Sequence, residues 1–264
     1  MGNMINISCI KDKSKTPQIL YWDIETSSID IKYRAYDLSV KIKRFDPETI
    51  ERDWTMLSVA WAFNDEPVKC IAVSPKNPLN DYEIVRQFHE VLSQADYIVG
   101  HNMDAFDLKK FNTRAAYYKL PPIGQKQSID TLKIARKYFK FTSNKLRYVA
   151  KFFQIDQKDD SPDWDAVLDG DTEAHAYMRQ YNKQDVEVTR QLYKALAPYH
   201  TTHPDMNVKA PVVDVKGKRV EGICPVCSSA DTVKNGYYYQ KTTKRQQWEC
   251  RGCNHSFKGV NVRF

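Results

Sequence analysis

The sequence lacks the features that would place it in a membrane, a fibre or a disordered tail. No apolar run among its 264 residues approaches the roughly 20 needed to span a bilayer. The opening stretch, MGNMINISCIKDKSK, carries charge without a signal-like hydrophobic segment, and Asn6 stands where a myristoylated Met-Gly start has Ser or Thr. Internal repeats and low-complexity tracts are absent, which sets aside solenoid and fibrous architectures. A hydrophobic share of 42% beside 28% charged residues excludes disorder on a large scale. The expectation is a cytoplasmic globular protein without a membrane partner, built from one sizeable core and a small appended module.

Charge and cysteine both separate that module from the body. The formal net charge is +7. From residue 201 onward there are 11 Lys and Arg against 5 Asp and Glu, whereas the first 200 residues hold 29 against 28. A basic appendix beside a near-neutral body suits an element that holds a polyanion; a solvated basic tail is the alternative. Cys9 and Cys70 are isolated and read as reduced thiols. Cys224, Cys227, Cys250 and Cys253 form two Cys-x-x-Cys pairs separated by 22 residues, the spacing of a tetrahedral site for one structural Zn²⁺. His255 is surplus to that set. Between the pairs, a Lys-Asn-Gly signal beside Tyr237–Tyr239 predicts the turn of a zinc-ribbon hairpin. Tyr237, Tyr239 and Trp248 interleave with Lys241, Lys244, Arg245 and Arg251, a pattern that can stack bases while contacting phosphates. The same aromatics could instead be the ribbon's small core.

Short runs rich in Val, Ile, Trp and Tyr predict strands in QILYWDIET, MLSVAWAFN, KCIAVS and YIVGH, the first three able to form a meander. A period of 3.6 predicts helices in DYEIVRQFHEVLSQA, DAFDLKKFNTRAAYYKL, DTLKIARKYFK, NKLRYVAKFF and the long DTEAHAYMRQYNKQDVEVTRQLYKAL. Strands first and helices later, with one strand–helix–strand–helix passage, is an α/β plan. Residues 27–53 are long and charged for a loop and fit no element.

The chemistry concentrates in four acids. Alternation along QILYWDIETSS puts Ile19, Tyr21, Asp23 and Glu25 on one face of a strand and Leu20, Trp22 and Ile24 on the other. Two like charges about 4 Å apart at an effective dielectric near 20 repel by roughly 4 kcal/mol, so the pair calls for a proton or a cation. Asp107 falls at the start of a helix just past a strand, where open α/β sheets place ligands. Tyr181 and Asp185 are four apart on the long helix, on a stripe with Met178, Val188 and Leu192 that faces the sheet. Taken singly, each has a plainer reading: a solvated strand edge, a helix-start carboxylate, a surface charge.

Together the arrangement resembles the DEDD exonuclease superfamily. Its first motif, Asp-x-Glu on the first strand, matches Asp23-Ile24-Glu25-Thr26; its second matches Asn102 through Phe106-Asp107. The third takes either a His five residues before the final Asp, where this chain has Gln180, or a Tyr four before it, seen as Tyr181-Asn182-x-x-Asp185. The chain thus looks like the Tyr subclass, similar to the proofreading domains of family-B DNA polymerases, over roughly residues 17 to 198. The resemblance implies a ribonuclease H-like mixed five-stranded sheet flanked by helices, with residues 1–200 as the nuclease domain; composition and cysteine spacing add a linker over 201–221 and a small four-cysteine zinc ribbon over 222–264. It implies two Mg²⁺ or Mn²⁺ ions, Asp23 bridging both, Glu25 and Asp185 completing the water-activating site, Asp107 holding the second ion and Tyr181 orienting the attacking water. Hard cations of this kind prefer carboxylate oxygens. Thr26, Asn102 and Phe106 would contact the terminal nucleotide, and nucleoside 5′-monophosphates would leave from a 3′ end. DNA is the expected substrate, working in trans to a replication or recombination partner; an exoribonuclease and a non-catalytic binding module are the alternatives. His101 is read as a packing histidine and Asp130 as a helix cap.

Overall fold

The computed structural model describes residues 17–34, 44–124, 126–155, 160–200, 221–224, 229–239, 243–252 and 256–263. In chain order the strands are β1 (Ile19–Thr26), β2 (Asp30–Ile31), β3 (Ile50–Arg52), β4 (Met56–Phe63), β5 (Lys69–Ala72), β6 (Tyr97–Gly100), β7 (Gln127–Asp130), β8 (Thr232–Tyr239), β9 (Thr243–Cys250) and β10 (Ser256–Arg263). The helices are α1 (Tyr82–Gln94), α2 (Asp107–Tyr117), α3 (Thr131–Tyr138), α4 (Leu146–Phe152), α5 (Trp164–Leu168) and α6 (Thr172–Leu196). The chain divides into two compact units, one over 17–203 and one that includes the C-terminal strands.

In the larger unit five strands run in the order β5-β4-β1-β6-β7. β1, β4 and β5 form the antiparallel meander, and β6 and β7 add in parallel to β1. The sheet is therefore mixed, with β1 central. Its parity divides the molecule. Trp22 packs against Phe88 of α1 (centroids 5.0 Å apart) and Phe111 of α2 (6.3 Å), while Tyr21, one residue earlier, meets Tyr193 of α6 (5.7 Å). Helices thus cover both faces, which is why β4 reads as a nearly unbroken apolar run with seven of its eight residues buried. α1 buries Ile84, Val85, Phe88 and Leu92 at helical spacing, and α6 starts at Asp171, whose side chain accepts from Ala174 N.

The five strands match the sheet that the resemblance implies, and the structure fills two stretches that the sequence left unassigned and corrects one expected turn. The stretch before α3 contains a fifth core strand, β7, too short and too exposed in its first half to show periodicity. Residues 27–53 are not wholly irregular, since β2 pairs with β3, preceded there by a 3₁₀ turn over Pro47–Thr49. In the smaller unit Lys234-Asn235-Gly236 makes no hairpin turn. It lies inside β8 where the register slips against β9, and Gly236 takes φ +71°. Glycine in the left-handed region opens a bulge in a strand as readily as it closes a turn. That unit is a three-stranded antiparallel sheet, β10-β9-β8. The linker expected at 201–221 lies, apart from Glu221, outside the described residues.

Asp81, fully buried before α1, ties the larger unit together. It accepts from Arg114 Nε (2.6 Å), Tyr118 Oη (2.5 Å) and Met56 N (2.9 Å). Asp81→Ala leaves a part-buried guanidinium and the Met56 amide without their acceptor, and a cost of about 2–3 kcal/mol is expected in denaturant unfolding; a change below about 1 kcal/mol would show that water replaces the carboxylate.

Candidate active site

β1 delivers Asp23 and Glu25 to the face covered by α6, as alternation requires. The carboxylate oxygens of Asp23, Glu25 and Asp185 lie within 4.8 Å of one another. Tyr181 lies one turn earlier on α6, near enough for its phenol and the Asp185 carboxyl to shift each other's pKa. Asp107 begins α2 on the neighbouring element, buried, with Oδ1 accepting from Ile24 N at 3.2 Å. The fourth acid is thus held to the strand between the first two.

Electrostatics follow from that crowding. Burial first, then Asp107, Glu25 and Asp185, hold the Asp23 carboxyl well above the usual range, against a hydrogen bond from Asn182. Glu25 is pushed up to about 8 by burial and then by Asp185 and Asp107. Asp107 rises to about 7, mainly through burial and despite the Ile24 amide. Asp185 rises to about 6 by burial, with Tyr181 opposing. Burial and the neighbouring acids also keep the Tyr181 phenol protonated, so it can donate but not act as a base. Among the described residues no Lys or Arg pairs with these four acids; ion pairs form elsewhere, as in Arg114–Asp81 and Lys194–Asp65. An all-oxygen donor set with raised pKa values and no internal counter-charge fits a hard divalent cation.

Asn182 has a part that the motif reading did not assign. It is fully buried, donates from Nδ2 to Asp23 Oδ2 (2.8 Å) and accepts at Oδ1 from Ser58 Oγ of β4 (3.0 Å). This Ser58–Asn182–Asp23 chain fixes one oxygen of Asp23. The signal was present: Asn182 sits between Met178 and Val186 on the buried line of α6, and a buried amide needs partners.

The second motif is shaped by backbone. Asn102 takes φ +65°, a conformation asparagine tolerates, and its amide donates to Asp130 Oδ1 (2.9 Å). Asp130 caps α3 through Leu132 N, as expected. His101, its pKa lowered by burial, donates from Nε2 to the Asn144 carbonyl (2.9 Å), and its Nδ1 meets Thr131 Oγ1 (2.9 Å). Phe106, 40% exposed, precedes Asp107, and Lys110 Nζ lies 3.8 Å from the Trp54 ring centre and 5.2 Å from that of Phe106. Thr26 is half-buried at the bulge that ends β1.

In the smaller unit Cys224 and Cys250 are buried together with Phe257, and Trp248 packs partly buried against them. Cys227 and Cys253 lie outside the described residues. Tyr237 and Tyr239 are exposed with centroids 6.1 Å apart, and Lys244 Nζ stands 5.2 Å from the Tyr237 ring centre. Arg245 is half-buried opposite Tyr238.

The family described as the RNase_H superfamily matches residues 44–197, more than half of the chain. The chain belongs to the RNase H superfamily. The match begins after β1, so Asp23 and Glu25 lie outside it. Among solved structures, a family B DNA polymerase from the hyperthermophilic archaeon Pyrobaculum calidifontis aligns with a TM-score of 0.52 and 18% identity. The alignment covers 69% of this chain and 25% of the polymerase, so the part shared with this chain is about a quarter of that protein. Comparison with curated proteins gave no match. The mixed five-stranded sheet with flanking helices is the α/β fold of this superfamily. No helix among the described residues is long and apolar enough to cross a membrane.

Two outcomes follow from this RNase H-like site. Folded carboxyls at about 6 to 8, against 3.8 to 4.5 ordinarily, bind more protons than the unfolded chain between those limits. Stability without divalent cations therefore falls as pH rises through that window. Thermal melting of protein desalted of such cations should give a lower Tm at pH 8 than at pH 5, with Mn²⁺ raising Tm more at pH 8; a Tm that climbs with pH would contradict the buried cluster. Asn182→Ala should weaken Mn²⁺ binding about 10- to 100-fold by calorimetry while circular dichroism is unchanged.

Proposed function

We propose that the protein is a divalent-metal-dependent 3′–5′ exonuclease of the Tyr subclass, acting on DNA and releasing nucleoside 5′-monophosphates. The observation that carries this reading is the convergence of one carboxylate oxygen each from Asp23, Glu25 and Asp185 within 4.8 Å, with Tyr181 one turn before Asp185 on α6. Asp23, Glu25, Asp107 and Asp185 would hold Mg²⁺ or Mn²⁺. Bound cations of this class stabilise charge on a phosphoryl oxygen and lower the pKa of water.

The chain's own groups do the rest. Asn182 and Ser58 keep Asp23 in one orientation. Tyr181, kept protonated and one turn from Asp185, positions a water for in-line attack rather than removing its proton. Phe106, exposed beside Asp107, offers a ring to the terminal base, and Asn102 and Thr26 border the same end of β1 and β6. The smaller unit is proposed as a zinc ribbon in which Cys224, Cys227, Cys250 and Cys253 bind one Zn²⁺. The burial of Cys224 and Cys250 around one cluster supports this. Its exposed Tyr237 and Tyr239, with Lys244, suit a nucleic-acid strand.

The deciding experiment incubates 5′-labelled single-stranded DNA and matched RNA with Mg²⁺ or Mn²⁺ and either the wild type or an Asp23→Ala, Glu25→Ala double variant. A ladder that shortens from the 3′ end and is lost in the variant is expected, faster on DNA. RNA as the faster polymer would make the protein an exoribonuclease. Absence of a ladder with binding retained would make it a non-catalytic module. Tyr181→Phe should lower kcat by about 10²-fold or more.

A further inference from the structure

Residues 131–155, which form α3 and α4, hold seven Lys and Arg and no Asp or Glu; residues 156–173 hold eight Asp and Glu and one Lys. The near-neutral sum over the first 200 residues hides this segregation. Of the seven cations, Lys133 pairs with Asp104 (2.6 Å). Arg136, Lys137, Lys140, Lys145, Arg147 and Lys151 are all exposed, and among the described residues none of them forms an ion pair. Some cations elsewhere in the same unit are paired, Arg86 with Glu83 and Glu90, Arg114 with Asp81 and Arg190 with Glu187; what sets this segment apart is six such cations with no acid among them. Six like charges left without ion pairs among the described residues repel one another.

The cations are interleaved with aromatic rings. Phe139 and Phe141 stack with centroids 5.0 Å apart, and Phe141 meets Phe152 at 5.1 Å, which binds the end of α3 to the end of α4. Phe152 is 63% exposed and Tyr148 41%. The start of α4 is tied to the catalytic end of the sheet, because the Asn144 carbonyl accepts from His101, the residue before Asn102. A cationic, ring-bearing face is therefore continuous with an edge whose four acids repel phosphate.

We propose that the α3–α4 face binds the sugar-phosphate backbone of a single nucleic-acid strand, with Tyr148 and Phe152 as stacking surfaces, upstream of the end held at the carboxylates. Exposed cations release condensed counterions when they meet phosphates, and aromatic rings accept any base, so the face should bind without sequence preference. An acidic protein would also match the charge, but the exposed rings between the cations favour a polynucleotide. The proposal rests on the nuclease reading for the strand's direction, not for its binding.

The test uses the full chain and a fluorescent single strand of about 20 nucleotides with non-hydrolysable 3′ linkages, followed by anisotropy across about 50 to 300 mM salt. A Lys140→Ala, Arg147→Ala, Lys151→Ala variant should bind about tenfold or more weakly and lower the slope of log affinity against log salt by about 2, since each single-strand phosphate contact contributes about 0.7. A Lys140→Arg, Arg147→Lys, Lys151→Arg variant should keep the wild-type slope. Hydrolysis of a trinucleotide should be the same in all three. Unchanged affinity and slope in the alanine variant would overturn the face while leaving the nuclease reading intact. A wild type that hydrolyses nothing, with binding lost in the alanine variant, would remove the nuclease reading and retain the face. Binding of an acidic peptide but of no oligonucleotide would overturn the proposal.

Discussion

Like-charge repulsion at one end of β1 is the constraint on which the larger unit depends. Asp23, Glu25 and Asp185 converge there, Asp107 joins them from α2, and each carboxyl is pushed above its ordinary range with burial as the first cause. Such a site is unfavourable as four bare anions and must take up protons or cations. The surrounding structure is arranged to hold the groups together despite that cost. Ile24 N–H pins Asp107 and Asn182 pins Asp23. These two donors leave the remaining carboxylate oxygens available to a cation.

Sheet parity keeps this strain apart from what stabilises the fold. Trp22 of β1 enters the apolar layer of Phe88 and Phe111, while Tyr21 and Asp23 face α6. The buried Asp81–Arg114–Tyr118 cluster lies with α1 and α2. The acids therefore gather under a single long helix, which brings Tyr181, Asn182 and Asp185 to them within little more than one turn. A near-neutral body also proves to be divided, with acids at the strand end and, among the described residues, six of the seven cations between residues 131 and 155 without ion pairs.

Legibility followed the length and regularity of each element. β1, β4, α1 and α6 are long enough for period 2 or 3.6, or an unbroken apolar run, to stand out, and the structure contains all four. β7 has four residues with its first two exposed, so it left no pattern; it exists because β6 offers it an edge. Lys-Asn-Gly is compatible with both a turn and a bulge, and long-range pairing of β8 with β9 selected the bulge. Asn182 could have been found as a polar residue on an apolar line. The bond of Asp107 to Ile24 could not, because it joins residues 83 positions apart.

By itself the sequence determined the residue types of the site and their local directions: Asp23 and Glu25 on one face of a strand, Tyr181 and Asp185 on one face of a helix, cysteines in two spaced pairs. Those properties depend on backbone periods that contiguous residues set. Only the tertiary structure decided that the middle of α6 would lie over the end of β1, that Ser58 would reach Asn182 and Asn182 would reach Asp23, and that all but Lys133 of the cations between residues 131 and 155 would find no ion-pair partner among the described residues. Each of these depends on segments far apart in the chain. Such meetings are set by how the helices pack on the sheet, a balance of many buried contacts that no short window of residues contains.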